Sequence, residues 1–170
     1  MLSEKVTTAL NEQINRELYS AYLYMAMSAH ASHVGLPGVA NWFYVQTQEE
    51  LGHVQRFYQY LLRQNAKVEL AAIQKPVVEA KTALDLFSKG LEHERYITAS
   101  IHELVDVALA EKDRATGVFL QWFVNEQVEE EENASNIIDQ LKLAGEGGSG
   151  LFMIDRELAT RVFTPAPAAE

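Results

Sequence analysis

The sequence contains no cysteine, which excludes disulfide bonds, iron–sulfur clusters and metal sites built on thiolates. Only 4 of its 170 residues are proline and 9 are glycine, mostly in a few short patches, and this scarcity favours long uninterrupted helices. Clusters of lysine and arginine are also lacking, and the formal net charge is −10. Nucleic acid is therefore not an expected partner, whereas an acidic chain of this kind attracts cations.

No apolar run is long enough to span a bilayer, and the polar opening stretch MLSEKVTTALNEQ contains no signal-peptide core. We therefore expect a cytoplasmic protein with no membrane partner. Hydrophobic residues make up 48% of the chain, which is enough for one compact domain with a single core.

Periodicity and turn signals predict four long helices and a short amphipathic fifth one. We expect the long helices over about 3–31, 39–64, 83–111 and 115–143, and the short one over about 151–161. Two short connections make the first pair and the second pair antiparallel, while the link over 65–82 can cross the whole bundle. The prediction is an all-α four-helix bundle with one long crossover, over residues 1–163, and a disordered tail over 164–170.

Polar residues interrupt the apolar seam of each long helix near its middle. The stretch VQTQEELGHVQRF, residues 45–57, puts a carboxylate and an imidazole where the core face of its helix should be. Because the middles of packed helices meet at one height, these residues should converge in a buried layer, unless the seams are misplaced and the residues face solvent. The residues expected in the layer are Glu17, Glu50, His53, Glu94, Gln127 and Glu130.

Burial energetics favour a metal in this layer. Four buried unpaired carboxylates would cost roughly 10–20 kcal/mol, whereas whole domains are stable by only about 5–15 kcal/mol. No lysine or arginine lies on the seams nearby, so the simplest neutral solution is two divalent cations. Oxygen ligands with one nitrogen suit iron or manganese. Glu50 and His53 lie one turn apart on one face and can hold the same ion.

These motifs resemble the ferritin family, specifically the non-haem ferritins of bacterial and archaeal type. The resemblance covers nearly the whole chain, including NEQINRELYSAYLYMAM, QEELGHVQRFYQYL, FLQWFVNEQVEEEE and the short segment LFMIDREL. In the parent pattern two helices carry one Glu each and two carry Glu-x-x-His. This chain departs on the fourth helix, where residues 127–130 read QVEE, as ferritins proper tend to do.

The resemblance implies an iron-storage protein. Such proteins form homo-oligomeric hollow shells of about twenty-four chains, in which the short fifth helix lines channels. They act as ferroxidases, oxidising Fe²⁺ with dioxygen or peroxide at a dinuclear centre inside each subunit, and store the ferric mineral in the shell.

The resemblance also assigns the ligands. Glu17, Glu50 and His53 would hold the first iron. Glu50 would bridge to a second iron held by Glu94 and Glu130.

Three further residues carry narrower expectations. Gln127 is expected to orient the ligands and to be at most a weak ligand. Tyr24, on the same face as Glu17, hydrogen-bonds a ligand or supplies an electron to an oxidised intermediate, or else packs in the core with its hydroxyl satisfied. Leu51 stands where haem-containing relatives carry the haem-ligating methionine, so no haem is expected.

An auxiliary third iron site is predicted from Glu49, Glu126 and Glu129, with Glu130 shared. Glu49 and Glu129 each precede a ligand and are turned about 100° from it, so both can face one outer flank of the dinuclear centre. Ferritins that resemble this chain have a third site of matching glutamates. The alternative is a solvated acidic face.

Other classes remain open from the sequence alone. A rubrerythrin-like peroxidase or a manganese catalase would use a similar dinuclear site, although rubrerythrins normally add a cysteine-ligated iron domain. A DNA-protecting mini-ferritin lacks the short fifth helix. A metal-free structural bundle leaves the buried carboxylates unexplained.

Overall fold

The computed structural model of the chain describes residues 2–145 and 148–165. Its five helices are α1 (Glu4–His33), α2 (Pro37–Arg63), α3 (Ala83–Ala110), α4 (Arg114–Ala144) and α5 (Ser149–Leu158), and the described residues contain no strand. The predicted all-α architecture is confirmed. Of the predicted tail, residues 164 and 165 are described and are not helical, while 166–170 lie outside the described residues.

Side-chain caps set the starts of three long helices. Ser3, Thr82 and Asp113 each accept a hydrogen bond from a backbone N–H in the first turn of α1, α3 and α4, respectively. At α3 the cap is reciprocal, because the Asp85 carboxylate also accepts from the Thr82 N–H. Such caps satisfy the backbone donors that a helix leaves unpaired at its start.

Helix α2 is capped by another helix. It begins with Pro37 and its own N-cap residue makes no side-chain hydrogen bond, but Asp155 Oδ1 on α5 accepts from the Val39 N–H at 2.9 Å. The two helices approach so closely that a Cβ added at Gly38 would lie 1.6 Å from the Asp155 carbonyl oxygen. Glycine at this position is therefore what lets α5 dock on the start of α2.

Contacts between helices give the predicted directions. Ser28 bonds to the Ala40 carbonyl near the C-terminal end of α1, whereas the earlier residue Glu17 faces His53 further along α2, so these helices are antiparallel. Thr98 of α3 bonds to Gln127 near the middle of α4, and the start of α3 packs with the end of α4, so this pair is antiparallel too. The crossover over 64–82 returns the chain so that α3 runs parallel to α2.

The apolar core falls into two clusters, one towards each end of the bundle. One contains Tyr24, Phe43 and Phe87, and the other contains Leu10, Phe57 and Phe123. Along each long helix, the predicted polar residues lie between the positions that belong to the two clusters. Within the described part of the chain, no helix combines the length and apolar composition needed to cross a membrane.

Candidate metal centre

All six residues predicted for the central layer are buried. Their relative exposures lie between 1% and 4%, so the alternative that they form a solvated face is wrong. Each comes from the middle of a long helix, between the two apolar clusters. The buried residues of the layer are Glu17, Glu50, His53, Glu94, Gln127 and Glu130.

Three of them form a compact group of potential ligands. His53 Nδ1 lies 3.3 Å from Glu50 Oε2 and 3.9 Å from Glu17 Oε2. One ligand atom from each residue falls within 4.8 Å of the others, which is close enough to hold one metal ion. Glu17 Oε2 is buried and has no hydrogen-bond partner within the described residues. An unsatisfied buried carboxylate oxygen is costly, and a cation bound here would satisfy it.

The other nitrogen of His53 faces a second group. His53 Nε2 lies 3.8 Å from Glu126 Oε1, and His53, Glu126 and Glu130 also offer ligand atoms within 4.8 Å of one another. A neutral imidazole has one acceptor nitrogen, so His53 can bind an ion through Nδ1 or Nε2 but not both. When Nδ1 binds metal, the Nε2–H points towards Glu126, a carboxylate placed to orient the ring.

Glu94 is held by its neighbours on α1 and α4 and belongs to neither group. The Tyr24 hydroxyl donates to Glu94 Oε1, a contact that fits both a tyrosine that orients a ligand and a core tyrosine with its hydroxyl satisfied. In the amide orientation that satisfies its surroundings, Gln127 donates to Glu94 Oε2 at 3.3 Å and to the Thr98 hydroxyl at 3.1 Å. Gln127 is therefore hydrogen-bonded to Glu94, and its amide oxygen is left for other partners.

Two buried glutamines support the layer, and the sequence pattern had not assigned either of them a role. Gln13 Nε2 donates to Glu17 Oε1 at 2.7 Å. Gln46 Nε2 donates to Glu130 Oε2 at 2.8 Å and reaches Glu50 Oε1 at 3.4 Å. Gln13 and Gln46 each stand four residues before a predicted ligand on the same helix face, and this spacing is the signal that could have identified them.

Charge interactions set the protonation of the layer without metal. Burial, with the charge of Glu50, raises the pKa of Glu17 to about 8, and the same two causes raise the pKa of Glu130 to about 8. Burial also raises the pKa of Glu94 well above its usual value. Burial would raise the pKa of Glu50 as well, but the charge and hydrogen bond of His53 outweigh it and lower that pKa.

The layer can thus keep itself nearly neutral without metal. Burial alone would lower the pKa of His53, but Glu50 and Glu126 outweigh it and hold that pKa well above its usual value. Protonated His53 and charged Glu50 therefore form an ion pair, and the carboxyls around them are protonated. Divalent cations that enter the layer would take the place of these protons.

The residues predicted for the auxiliary site are only partly brought together. Glu49 and Glu126 are half-buried and line one cavity of about 660 Å³, together with His53. Glu129 is exposed on α4 and is not among the described residues that line this cavity. Glu49 is also paired with Arg161, whose Nη2 lies 2.5 Å from Glu49 Oε2. The helix patterns did not identify this arginine.

Other side chains near the layer pack or hydrogen-bond. The centroid of the Trp122 ring lies 5.5 Å from that of the His53 ring. The guanidinium of Arg56 lies over the same Trp122 ring, 3.8 Å from its centroid. His93 Nε2 lies 2.7 Å from the Ser20 hydroxyl. Glu131 on α4 is half-buried and accepts a hydrogen bond from the Thr98 hydroxyl at 2.6 Å.

These observations define a class of protein: a four-helix bundle with a crossover, a short fifth helix and a buried carboxylate–histidine layer that could hold metal. Comparison with known proteins agrees with this class. The family model of the ferritin-like domain matches residues 7–144. The chain belongs to the ferritin family.

Individual relatives match along nearly their whole length. The bacterial non-haem ferritin of Campylobacter jejuni is 42% identical over 156 residues, which cover 92% of this chain and 93% of the relative. That of Bacteroides fragilis is 41% identical, covering 95% and 100% of the two chains. The crystal structure of an open-pore ferritin from Archaeoglobus fulgidus has a TM-score of 0.93 and 45% identity, covering 95% of this chain and 100% of that one.

Proposed function

We propose that this protein stores iron, oxidising Fe²⁺ to Fe³⁺ at a dinuclear ferroxidase centre in the buried layer and keeping the ferric mineral inside a hollow homo-oligomeric shell. The observation that carries the proposal is the buried group of Glu17, Glu50 and His53, in which Glu17 Oε2 has no hydrogen-bond partner among the described residues. In a purely structural bundle these buried polar groups would only lower stability, whereas Fe²⁺ bound as substrate would give Glu17 Oε2 the partner it lacks.

The residues divide into two iron positions. Glu17 and His53 Nδ1 bind the first Fe²⁺, and Glu50 between them bridges to the second. Glu94 and Glu130 bind the second Fe²⁺.

The ligand set accounts for the direction of the chemistry. Anionic oxygen ligands stabilise Fe³⁺ more than Fe²⁺, because attraction grows with the charge of the ion. Each iron loses one electron, and the two electrons with two protons reduce dioxygen to hydrogen peroxide, or hydrogen peroxide to water. The carboxyls of Glu17, Glu94 and Glu130, protonated when metal is absent, release their protons as cations bind.

Exposed apolar side chains support assembly into a shell. Tyr44, Leu51 and Tyr58 repeat every seven residues along the outer face of α2 with exposures of 53%, 46% and 38%. On α5, Phe152 and Met153 are 63% and 70% exposed. A stripe of this kind marks a surface that another chain covers. The assembly we propose has about twenty-four copies and is cytoplasmic.

The auxiliary site of Glu49, Glu126 and Glu129 is part of the proposal. It is supported by the cavity that Glu49 and Glu126 share with His53, which offers an ion a path to the centre. Glu49→Ala and Glu129→Ala should leave the first fast oxidation of two irons intact and change the ratio of iron oxidised to oxygen consumed. Glu126→Ala is a less clean variant because Glu126 also faces His53. If these variants match the parent in both quantities, there is no auxiliary iron site and these glutamates form only an acidic surface.

The ferroxidase proposal is tested by stopped-flow oxidation of Fe²⁺ in air. His53→Ala and Glu17→Ala each remove a ligand, so the initial rate should fall at least about tenfold. His102→Ala is the matched control, since this histidine is exposed on α3. Helical content and assembly size are measured on all three variants. An unchanged initial rate in both ligand variants would refute the assignment.

A further inference from the structure

The segment that follows α5 crosses back over α2 and places Arg161 beside the candidate metal centre. The guanidinium lies 4.5 Å from the centroid of the Trp42 ring, and Nη1 donates to the Trp42 carbonyl at 3.3 Å. Nη1 also donates to Gln46 Oε1 at 3.0 Å, and Nη2 donates to Glu49 Oε2 at 2.5 Å. One cation from the C-terminal segment thus contacts three residues of α2.

The backbone of this segment is anchored to α2 as well. Asn41 Nδ2 donates to the Arg161 carbonyl oxygen at 3.0 Å and to the Leu158 carbonyl oxygen at 3.1 Å. The position of Arg161 is therefore set by α2 itself, the helix that carries Glu50 and His53.

Arg161 reaches the buried layer through Gln46. The oxygen of the Gln46 amide accepts from Arg161, which turns its nitrogen towards Glu130 Oε2 at 2.8 Å. If the amide were reversed, its nitrogen would face the Arg161 guanidinium, and two groups that can only donate hydrogen bonds would be opposed. Arg161 therefore fixes which end of Gln46 meets a ligand of the second iron position.

We propose that Arg161 is a positioning residue of the metal centre that competes with cations for Glu49 and holds Gln46 against Glu130. The inference rests on the proposed function, because it takes Glu49 as a ligand of the auxiliary site. A cation at Glu49 would lie beside the guanidinium, and the two like charges repel each other. The auxiliary site fills only when Arg161 leaves Glu49, and it is consequently weaker than the inner pair of sites.

The two contacts of Arg161 can be separated by substitution. Lysine keeps the positive charge that competes for Glu49. It lacks the planar guanidinium whose two nitrogens donate to Glu49 and Gln46 at the same time. Glutamine removes the charge. Arg161→Lys should therefore preserve the weak affinity of the auxiliary site, and Arg161→Gln should strengthen it.

The test is an air-free calorimetric titration of the full-length assembled protein with Co²⁺, a divalent probe that avoids iron oxidation. The parent should bind two ions per chain tightly and a third weakly. Arg161→Gln should lower the Kd of the third ion about fivefold, which corresponds to about 1 kcal/mol. Arg161→Lys should leave that Kd unchanged. In a Glu49→Gln background, Arg161→Gln should have no effect on the third ion, because the group competed for is gone.

Arg156→Gln is the matched control, since Arg156 is an exposed arginine on α5 and should leave all three affinities at parental values. An unchanged third Kd in Arg161→Gln, an equal gain in the Glu49→Gln background, or no third ion in any protein overturns the inference. Fewer than two ions bound by the parent would instead refute the proposed function.

A second measurement needs only the parent protein. In crystals soaked with Co²⁺, a third ion on Glu49 should be accompanied by an Arg161 guanidinium that has moved off Glu49 Oε2. A third ion bound on Glu49 with the ion pair intact overturns the inference.

Discussion

Glu17 shows the cost that the buried layer imposes on the metal-free protein. The pKa of this carboxyl is raised from 4.5 to about 8, first by burial and then by the charge of Glu50. Between these two values the folded protein holds a proton that the unfolded chain has released. The contribution of Glu17 to stability is therefore complete below the lower value and is lost as the pH rises through the upper one.

Glu17→Gln should remove this pH dependence. The amide resembles the protonated carboxyl, so in chelator the variant should match the parent near pH 5 and exceed it near pH 9 by about 1–4 kcal/mol. Calorimetric thermal midpoints at the two pH values measure the difference. Glu132→Gln, at an exposed position on α4, is the control. A gain of equal size at both pH values would mean that the charge of Glu17 is not its cause.

At the scale of the helices, Asp155 links α5 to the start of α2. Its carboxylate replaces the missing side-chain cap of α2, and the space for this contact exists because residue 38 is glycine. The same docking delivers the chain to Asn41 and then Arg161 to Glu49. The short fifth helix therefore determines which side chain lies at the outer edge of the buried polar layer.

Asp155→Ala should weaken this docking. Loss of the cap should lower stability by about 1–2 kcal/mol and speed amide exchange across α5 and the first turn of α2. Hydrogen exchange followed by mass spectrometry measures both segments. Glu157→Ala, at an exposed position on α5, should exchange like the parent. If exchange in α5 is the same in both variants, Asp155 does not hold the helix.

The helices and the polar layer were predictable because they depend on periodicity. A carboxylate on an apolar seam, as at Glu50 or Glu94, is visible in a single helix, and caps and turn residues mark the helix ends to within three residues. The contact between Arg161 and Glu49 was not predictable, because it depends on how a non-helical segment turns after α5. The orientation of Glu94 towards Tyr24 is likewise a choice between side-chain conformers that the sequence does not encode by spacing.

At the scale of the whole molecule, two apolar clusters enclose a layer that would destabilise the fold if its carboxylates were all charged. The clusters supply the stability that lets the layer remain polar, and α2 contributes both to the layer and to an exposed outer stripe. The ferritin fold of this chain therefore combines a buried layer that could hold metal inside each chain with an apolar surface suited to contact between chains.

Charging the outer stripe should impair assembly while sparing the fold. Leu51→Glu with Tyr58→Glu places two carboxylates on a surface that we expect a neighbouring chain to cover, so light scattering should show a smaller particle with unchanged helical content. Tyr96→Glu, at an exposed tyrosine on α3 outside the stripe, is the control. A stripe variant of parental size would exclude this face as an interface.

The most direct test of the central claim is anomalous diffraction at the iron edge from crystals soaked with Fe²⁺ without air. The account predicts two iron peaks per chain inside the buried layer, one on Glu17, Glu50 and His53 and one on Glu94 and Glu130, with Glu50 between them. Crystals that take up iron only on the protein surface, and leave the layer empty, would contradict the account.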